Sequence, residues 1–183
     1  MNEPADEILV QRALQGDRAG FAELIRRYYP VLVAMAHAVV SDRHLAEDVA
    51  QEAVAEACHR LRTLHQPQRF GAWLGAIGHN IAKDTLAERK RHRRAGAETQ
   101  NVTSLRAGHD GDGDEKAMLT EAVQSLPEPL RQVVFLRYYN AMTYEKMSSV
   151  LGLSPQAING RLRRARKQIA KSMKANGFGD NDR

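Results

Sequence analysis

A single cysteine, Cys58, is present in the 183 residues, so no internal disulfide can brace this chain. Its helical spacing from Val54 and Leu61 predicts a small core side chain. No stretch alternates apolar and polar residues in the manner of a strand, and no internal repeat is visible, so sheet and solenoid folds are excluded. Residues 31–40, almost wholly apolar, fall well short of a membrane span. The N-terminal stretch MNEPADEILVQRAL is acidic and lacks a basic leader followed by an apolar run, so no signal peptide and a cytoplasmic location are expected. His44, His59 and His79 form no metal-ligand pair of the HExxH kind, and no glycine-rich loop is placed to cradle phosphate. The expectation is a protein with no catalytic residues, no metal and no cofactor.

What the chain does have is apolar residues at helical spacing and cations in clusters. Hydrophobic residues make up 43%, enough for packed cores, and the net charge is +5 with a pI near 9.6. The cations concentrate in RKRHRR, residues 89–94, and in residues 161–174, where seven Lys or Arg occur without an acid. Two separate basic helix ends point to two contacts with a polyanion such as nucleic acid.

Residues 8–15 predict a short amphipathic helix ended by Gly16, and Asp17 is placed to cap the next, which buries Phe21, Leu24, Ile25 and Tyr28 and is expected to break at Pro30. Residues 31–40 read as a buried helix. Ser41 and Asp42 open a third, with Leu45, Val49, Ala53, Ala57 and Leu61 on its core face and Ala46, Ala50, Val54 and Cys58 beside them. Its outer face carries Glu47, Asp48, Gln51, Glu52 and Glu56, an acidic patch suited to a basic protein partner. A loop, LHQPQR, precedes a fourth helix with the stripe Phe70, Trp73, Leu74, Ile77 and Ile81. Gly78 inside it costs about 1 kcal/mol relative to Ala, a cost that packing must cover.

Residues 95–115 lose periodicity and become polar and Gly-rich, the composition of a flexible linker. Helix resumes at residues 118–126, Pro127 and Pro129 make a turn, and Leu130, Val133, Val134, Phe135 and Leu136 form a core helix. After it, residues 143–171 read as a helix-turn-helix. Tyr144, Met147, Val150 and Leu151 share one face, Gly152 supplies a left-handed stop, Ser154 caps the next helix, and Pro155 suits its first position. Ile158, Leu162, Ala165 and Ile169 continue the core, which leaves the N-terminal turn of a basic helix free to enter a major groove. The fold class is all-α: two small helical domains, 1–94 and 116–183, joined by a flexible linker, with the helix-turn-helix in the second.

AEDVAQEA, FGAWLGAIGHN and the long stretch from SLPEPLRQVV to RLRRARKQI, in that order, resemble bacterial extracytoplasmic-function sigma factors of the sigma-70 family over nearly the whole chain. The resemblance implies a promoter-reading subunit whose partners are core RNA polymerase, through its clamp coiled coil and flap, promoter DNA, and an anti-sigma factor. By it, Asp48, Gln51 and Glu52 bind the polymerase. His65 and Gln66, beside Pro67, border with Asn80 the pocket for a flipped minus-ten base, and Lys83, Arg89, Arg91 and Arg93 neutralise phosphates. Ser154, Gln156, Ala157, Asn159, Gly160, Arg161 and Arg164 occupy the positions directed at the minus-thirty-five groove. The chain departs from the family's common residues at Ala157, Asn159 and Gly160, where Thr, Lys and Ser are frequent, at Val54, where an aromatic is, and at Ala87 and Glu88, where cations are. Asn159 suits adenine and Ala157 a thymine methyl. A one-component regulator would share the helix-turn-helix but would need an effector or dimerisation module where residues 6–94 lie.

Overall fold

A computed structural model describes residues 4–94 and 112–176, and these residues contain helices and no strand. Eight α-helices follow one another among them: α1 Asp6–Leu14, α2 Arg18–Val40, α3 Arg43–Arg60, α4 Phe70–Arg94, α5 Asp112–Gln124, α6 Glu128–Val134, α7 Tyr144–Leu151 and α8 Pro155–Ala175. Short 3-10 turns at Leu61–Thr63 and Pro67–Arg69 connect α3 to α4, and a π turn, Phe135–Tyr139, extends α6. Most of the expected linker, residues 95–111, lies outside the described residues. Its last four positions, 112–115, are the first residues of α5.

Local signals set most helix ends. The Asp17 carboxylate accepts the Ala19 and Gly20 N–H groups at 2.9 and 3.3 Å and starts α2. Pro30 does not break that helix as expected. It stands inside α2, where a proline costs about 3 kcal/mol. Around it Tyr28, Val31, Leu32 and Met35 are all buried, each contributing about 1.5–3 kcal/mol, so tertiary burial outweighs the local cost. The buried stripe of α3 is Ala46, Val49, Ala50, Ala53 and Ala57. Cys58, one step of about 100° past Ala57, turns outward and is exposed, contrary to the core position its spacing implied.

α2, α3 and α4 pack as a bundle with α1 laid against α2. Small residues set its tightness: a Cβ at Gly78 would lie 2.9 Å from Leu32 Cδ2, so this glycine lets α2 and α4 close together. The second unit buries Leu126, Val133, Leu136, Met147, Ile158 and Leu162. Both units belong to one continuous apolar cluster, because α7 docks on α4 and α6 with the π turn docks on α2. Polar bonds cross the same seam. Arg131 Nε donates to the Ala38 carbonyl, Asn140 Nδ2 to the Pro30 carbonyl at 2.8 Å, and the buried Gln132 amide reaches His79 Nδ1 at 3.2 Å. Lys146 of α7 lies 4.1 Å from the Tyr28 ring centroid and 3.7 Å from Asp6.

Candidate polymerase and nucleic-acid interfaces

The acidic face of α3 lies opposite its Ala-rich inner face. Small residues at 46, 50, 53 and 57 bring the helix close to the bundle, and Asp48, Gln51 and Glu52 are left exposed on the opposite side. Neighbouring acids are engaged within the helix, Glu47 with Arg43 at 3.1 Å and Glu56 with Arg60 at 3.4 Å. Asp48 and Glu52 have no ion-pair partner among the described residues, so their charge is available to a docking surface.

α4 is one unbroken helix, and that continuity sorts the residues assigned to the minus-ten contact. At about 100° per residue, Asn80, Lys83 and Arg91 fall on one side, while Arg89 and Arg93 fall on the other. Asn80, Lys83, Arg91 and Arg93 are exposed. Arg89 is half-buried, and its Nη1 lies 3.2 Å from Asp42 Oδ2. It is therefore paired with Asp42 in this structure. His65 and Gln66 are exposed just ahead of the Pro67–Arg69 turn, which feeds directly into Phe70. Asn80 stands about 15 Å further along the axis at 1.5 Å per residue. Phe70 anchors the helix start, stacked edge-on to Tyr28 at 5.4 Å and tilted against Trp73 at 5.9 Å.

The helix-turn-helix follows its capping residues. Thr143 accepts the Lys146 N–H at 3.2 Å, Gly152 takes φ 64° in the left-handed region, and Ser154 Oγ accepts the Ala157 N–H at 3.2 Å. Ser154 thus serves as a cap in this structure. Gln156, Ala157, Asn159 and Arg164 are exposed on α8, while Gly160 and Arg161 are half-buried, Arg161 toward the core edge. Arg164 Nε leans back to the Gly160 carbonyl at 3.4 Å, and nothing lies within 4 Å of a Cβ built on Gly160. Arg163, Lys167 and Lys171 are exposed on the Gln156 and Gly160 side and were not singled out from the sequence. Their spacing from Gln156, at helical intervals within the basic run, is the signal that identifies them.

Among the described residues no group of His, Cys, Asp or Glu could hold a metal, and no helix is long and apolar enough to cross a membrane.

Residues 24–92 match the family model for Sigma-70 region 2, and residues 116–169 match that for Sigma-70, region 4. The chain is 30% identical over 165 residues to the probable RNA polymerase sigma factor RfaY of Xanthomonas campestris pv. campestris, spanning 86% of this chain but 41% of that protein. It is 28% identical over 176 residues to the ECF RNA polymerase sigma-E factor of Escherichia coli, covering 90% of this chain and 92% of that one. The structure of CnrH in complex with the cytosolic domain of CnrY superposes with TM-score 0.62 at 26% identity, over 95% of this chain and 100% of CnrH. A pair of helical units with an acidic helix, a basic helix end and a capped helix-turn-helix, in region 2 to region 4 order, is the layout of a sigma factor. The chain belongs to the sigma-70 family and is of the extracytoplasmic-function type.

Proposed function

We propose that this protein is an alternative sigma factor that joins core RNA polymerase and directs it to a specific set of promoters. The observation that carries the reading is that three surfaces stay exposed while the cores are fully packed: the acidic face of α3, the Asn80 side of α4, and the outer face of α8. Asp48, Gln51 and Glu52 dock on the clamp coiled coil, and the second unit meets the flap. Asn80 offers both a donor and an acceptor to the edge of an unstacked minus-ten base, with His65 and Gln66 along the same strand and Lys83, Arg91 and Arg93 on phosphates. Gln156, Ala157, Asn159, Gly160 and Arg164 face the minus-thirty-five groove, Arg161 lies at its edge, and Ser154 holds the helix start that enters it. Residues 1–94 and 116–183 act as two readers joined through 95–115, and polymerase holds both at high effective concentration over one promoter. Such a protein works by recruitment and base recognition in the cytoplasm rather than by catalysis, and an anti-sigma factor fits the same exposed faces.

Transcription by core polymerase on a promoter library, with and without the protein, tests the reading. Initiation from a distinct promoter subset only when the protein is added is the expected result. Tight, sequence-specific binding to duplex operators by the free protein, with no effect on polymerase, would favour a one-component regulator.

A further inference from the structure

Among the described residues, Arg89 is the one cation in the α4 set that the structure ties to another helix. Its Nη1 meets Asp42 Oδ2 at 3.2 Å, and Asp42 Oδ1 accepts the Leu45 N–H at 3.2 Å, so a single carboxylate caps α3 and holds the far end of α4. The Leu45 N–H first, and Arg89 with it, keep this carboxyl below the usual range. Just before Arg89, Leu86 makes the last apolar contact of α4, against the cluster of Ala36, Val39, Val40, Ala46, Val49 and Ala82. Just after it, residues 90–94 are all exposed. Among the described residues the Asp42–Arg89 pair is therefore the last tertiary hold on the basic end of the helix.

We propose that Arg89 is a positioning residue for minus-ten binding: pinned by Asp42, it aims Lys90, Arg91, Arg93 and Arg94 and does not itself contact a phosphate. This rests on the reading of α4 as the minus-ten helix. The pair also fixes the DNA-facing end of α4 against the start of α3, the helix whose outer face meets polymerase. Recruitment and promoter contact are thereby held in one rigid corner.

The two roles open to Arg89 predict opposite signs for one substitution. Asp42→Asn keeps a good cap for α3 but removes the charge that holds Arg89. If Arg89 is pinned for positioning, Asp42→Asn weakens binding of the reconstituted holoenzyme to a fork-junction promoter probe, by about two- to five-fold for a half-exposed pair. Arg89→Gln then gives the same loss with the slope of log affinity against log salt unchanged, and the double variant is no worse than either single one. If Arg89 is a phosphate ligand, Asp42→Asn frees it and tightens binding, and Arg89→Gln lowers the slope by about 0.7–0.9; that result overturns the proposal. Arg91→Gln is the control, expected to weaken binding and lower the slope. Should Arg91→Gln leave both untouched, α4 is not the DNA helix and the proposal falls with the reading beneath it. Should Arg91→Gln behave as expected while Asp42→Asn tightens binding, only the role of Arg89 falls.

Discussion

A Cβ placed on Gly75 of α4 would lie 3.1 Å from the carbonyl oxygen of Val150 of α7 and 3.2 Å from Met35 Cε, so the first helix of the helix-turn-helix rests its backbone on the N-terminal unit at a glycine. The contact has a geometric consequence. A domain of this size packed around one core is about 40 Å across. The minus-ten and minus-thirty-five elements are separated by about 85 Å of duplex at 3.4 Å per base pair. On the proposed assignment of α4 and α8 to the two elements, the two readers must come apart at this seam to bind both at once.

Gly75→Leu should therefore pry the units apart. The nearest atom, the Val150 carbonyl oxygen, is backbone and cannot rotate away as Met35 can, and a leucine reaches well beyond its Cβ, so the free variant is expected to show a larger radius of gyration in solution scattering and a lower melting temperature. Recruitment by core polymerase should persist, because Asp48 and Glu52 lie on another helix. An unchanged scattering profile would show that the seam tolerates the insertion and does not hold the units together.

The acidic face gives a separate test. Asp48→Lys with Glu52→Lys places like charges against a basic docking surface and should abolish coelution with core polymerase. Both side chains are exposed, so the melting temperature should change little, on the scale of surface substitutions at about 0.5 kcal/mol. Retained coelution would reduce the patch to a solvated face.

Stability should also report on His37, whose ring stacks edge-on to Phe135 at 4.8 Å across the seam. Burial first, and the nearby Arg131 next, lower its pKa below the ordinary imidazole value, and its Nδ1 is buried without a hydrogen-bond partner among the described residues. Asp42 opposes the shift and Arg43 adds to it. The folded state thus binds the proton less readily than the unfolded chain. The stability this contributes is fully present above the unfolded pKa of about 6.5 and is lost as pH falls through and below it. Thermal melts of the natural protein and His37→Leu at pH 7.5 and 5.5 should show a smaller acid-side drop in the variant. Parallel drops would place the acid sensitivity elsewhere.

Signals carried by neighbouring residues were legible in the sequence; those carried by distant ones were not. Gly152, Ser154 and Pro155 punctuate α7 and α8 within four positions, and the helices end where those residues require. Pro30 carries an equally local signal for a break, yet α2 runs through it because burial of Val31, Leu32 and Met35 is a tertiary fact. The basic run at residues 89–94 is visible at a glance, but its division into an Asn80 side and an Asp42 side depends on α4 staying unbroken to Arg94. The partner of Arg89 lies 47 positions earlier in the chain, beyond any periodicity argument. Docking of α7 on Gly75 was likewise hidden, since a glycine in a helix announces its cost and not the backbone it admits.

The recognition helix allows the most specific test of base reading. Asn159 is exposed one turn from the Ser154 cap, beside the open face at Gly160, so its amide can extend into a groove without displacing another side chain. An amide pairs with adenine through two hydrogen bonds, whereas a lysine favours guanine or phosphate, and a good bidentate pair discriminates by about 1–3 kcal/mol. Asn159→Lys should shift the minus-thirty-five preference at one or two positions by that amount and strengthen nonspecific binding, with a steeper salt dependence from the added cation. The minus-ten preference should stay fixed, because on the proposed reading it belongs to α4 in the other unit. Selection of randomised promoters with the two proteins, each bound to core polymerase, reads both elements together. An unaltered minus-thirty-five motif would remove Asn159 from the readout and leave Gln156, Arg163, Arg164 and Lys167 among the exposed side chains able to carry it.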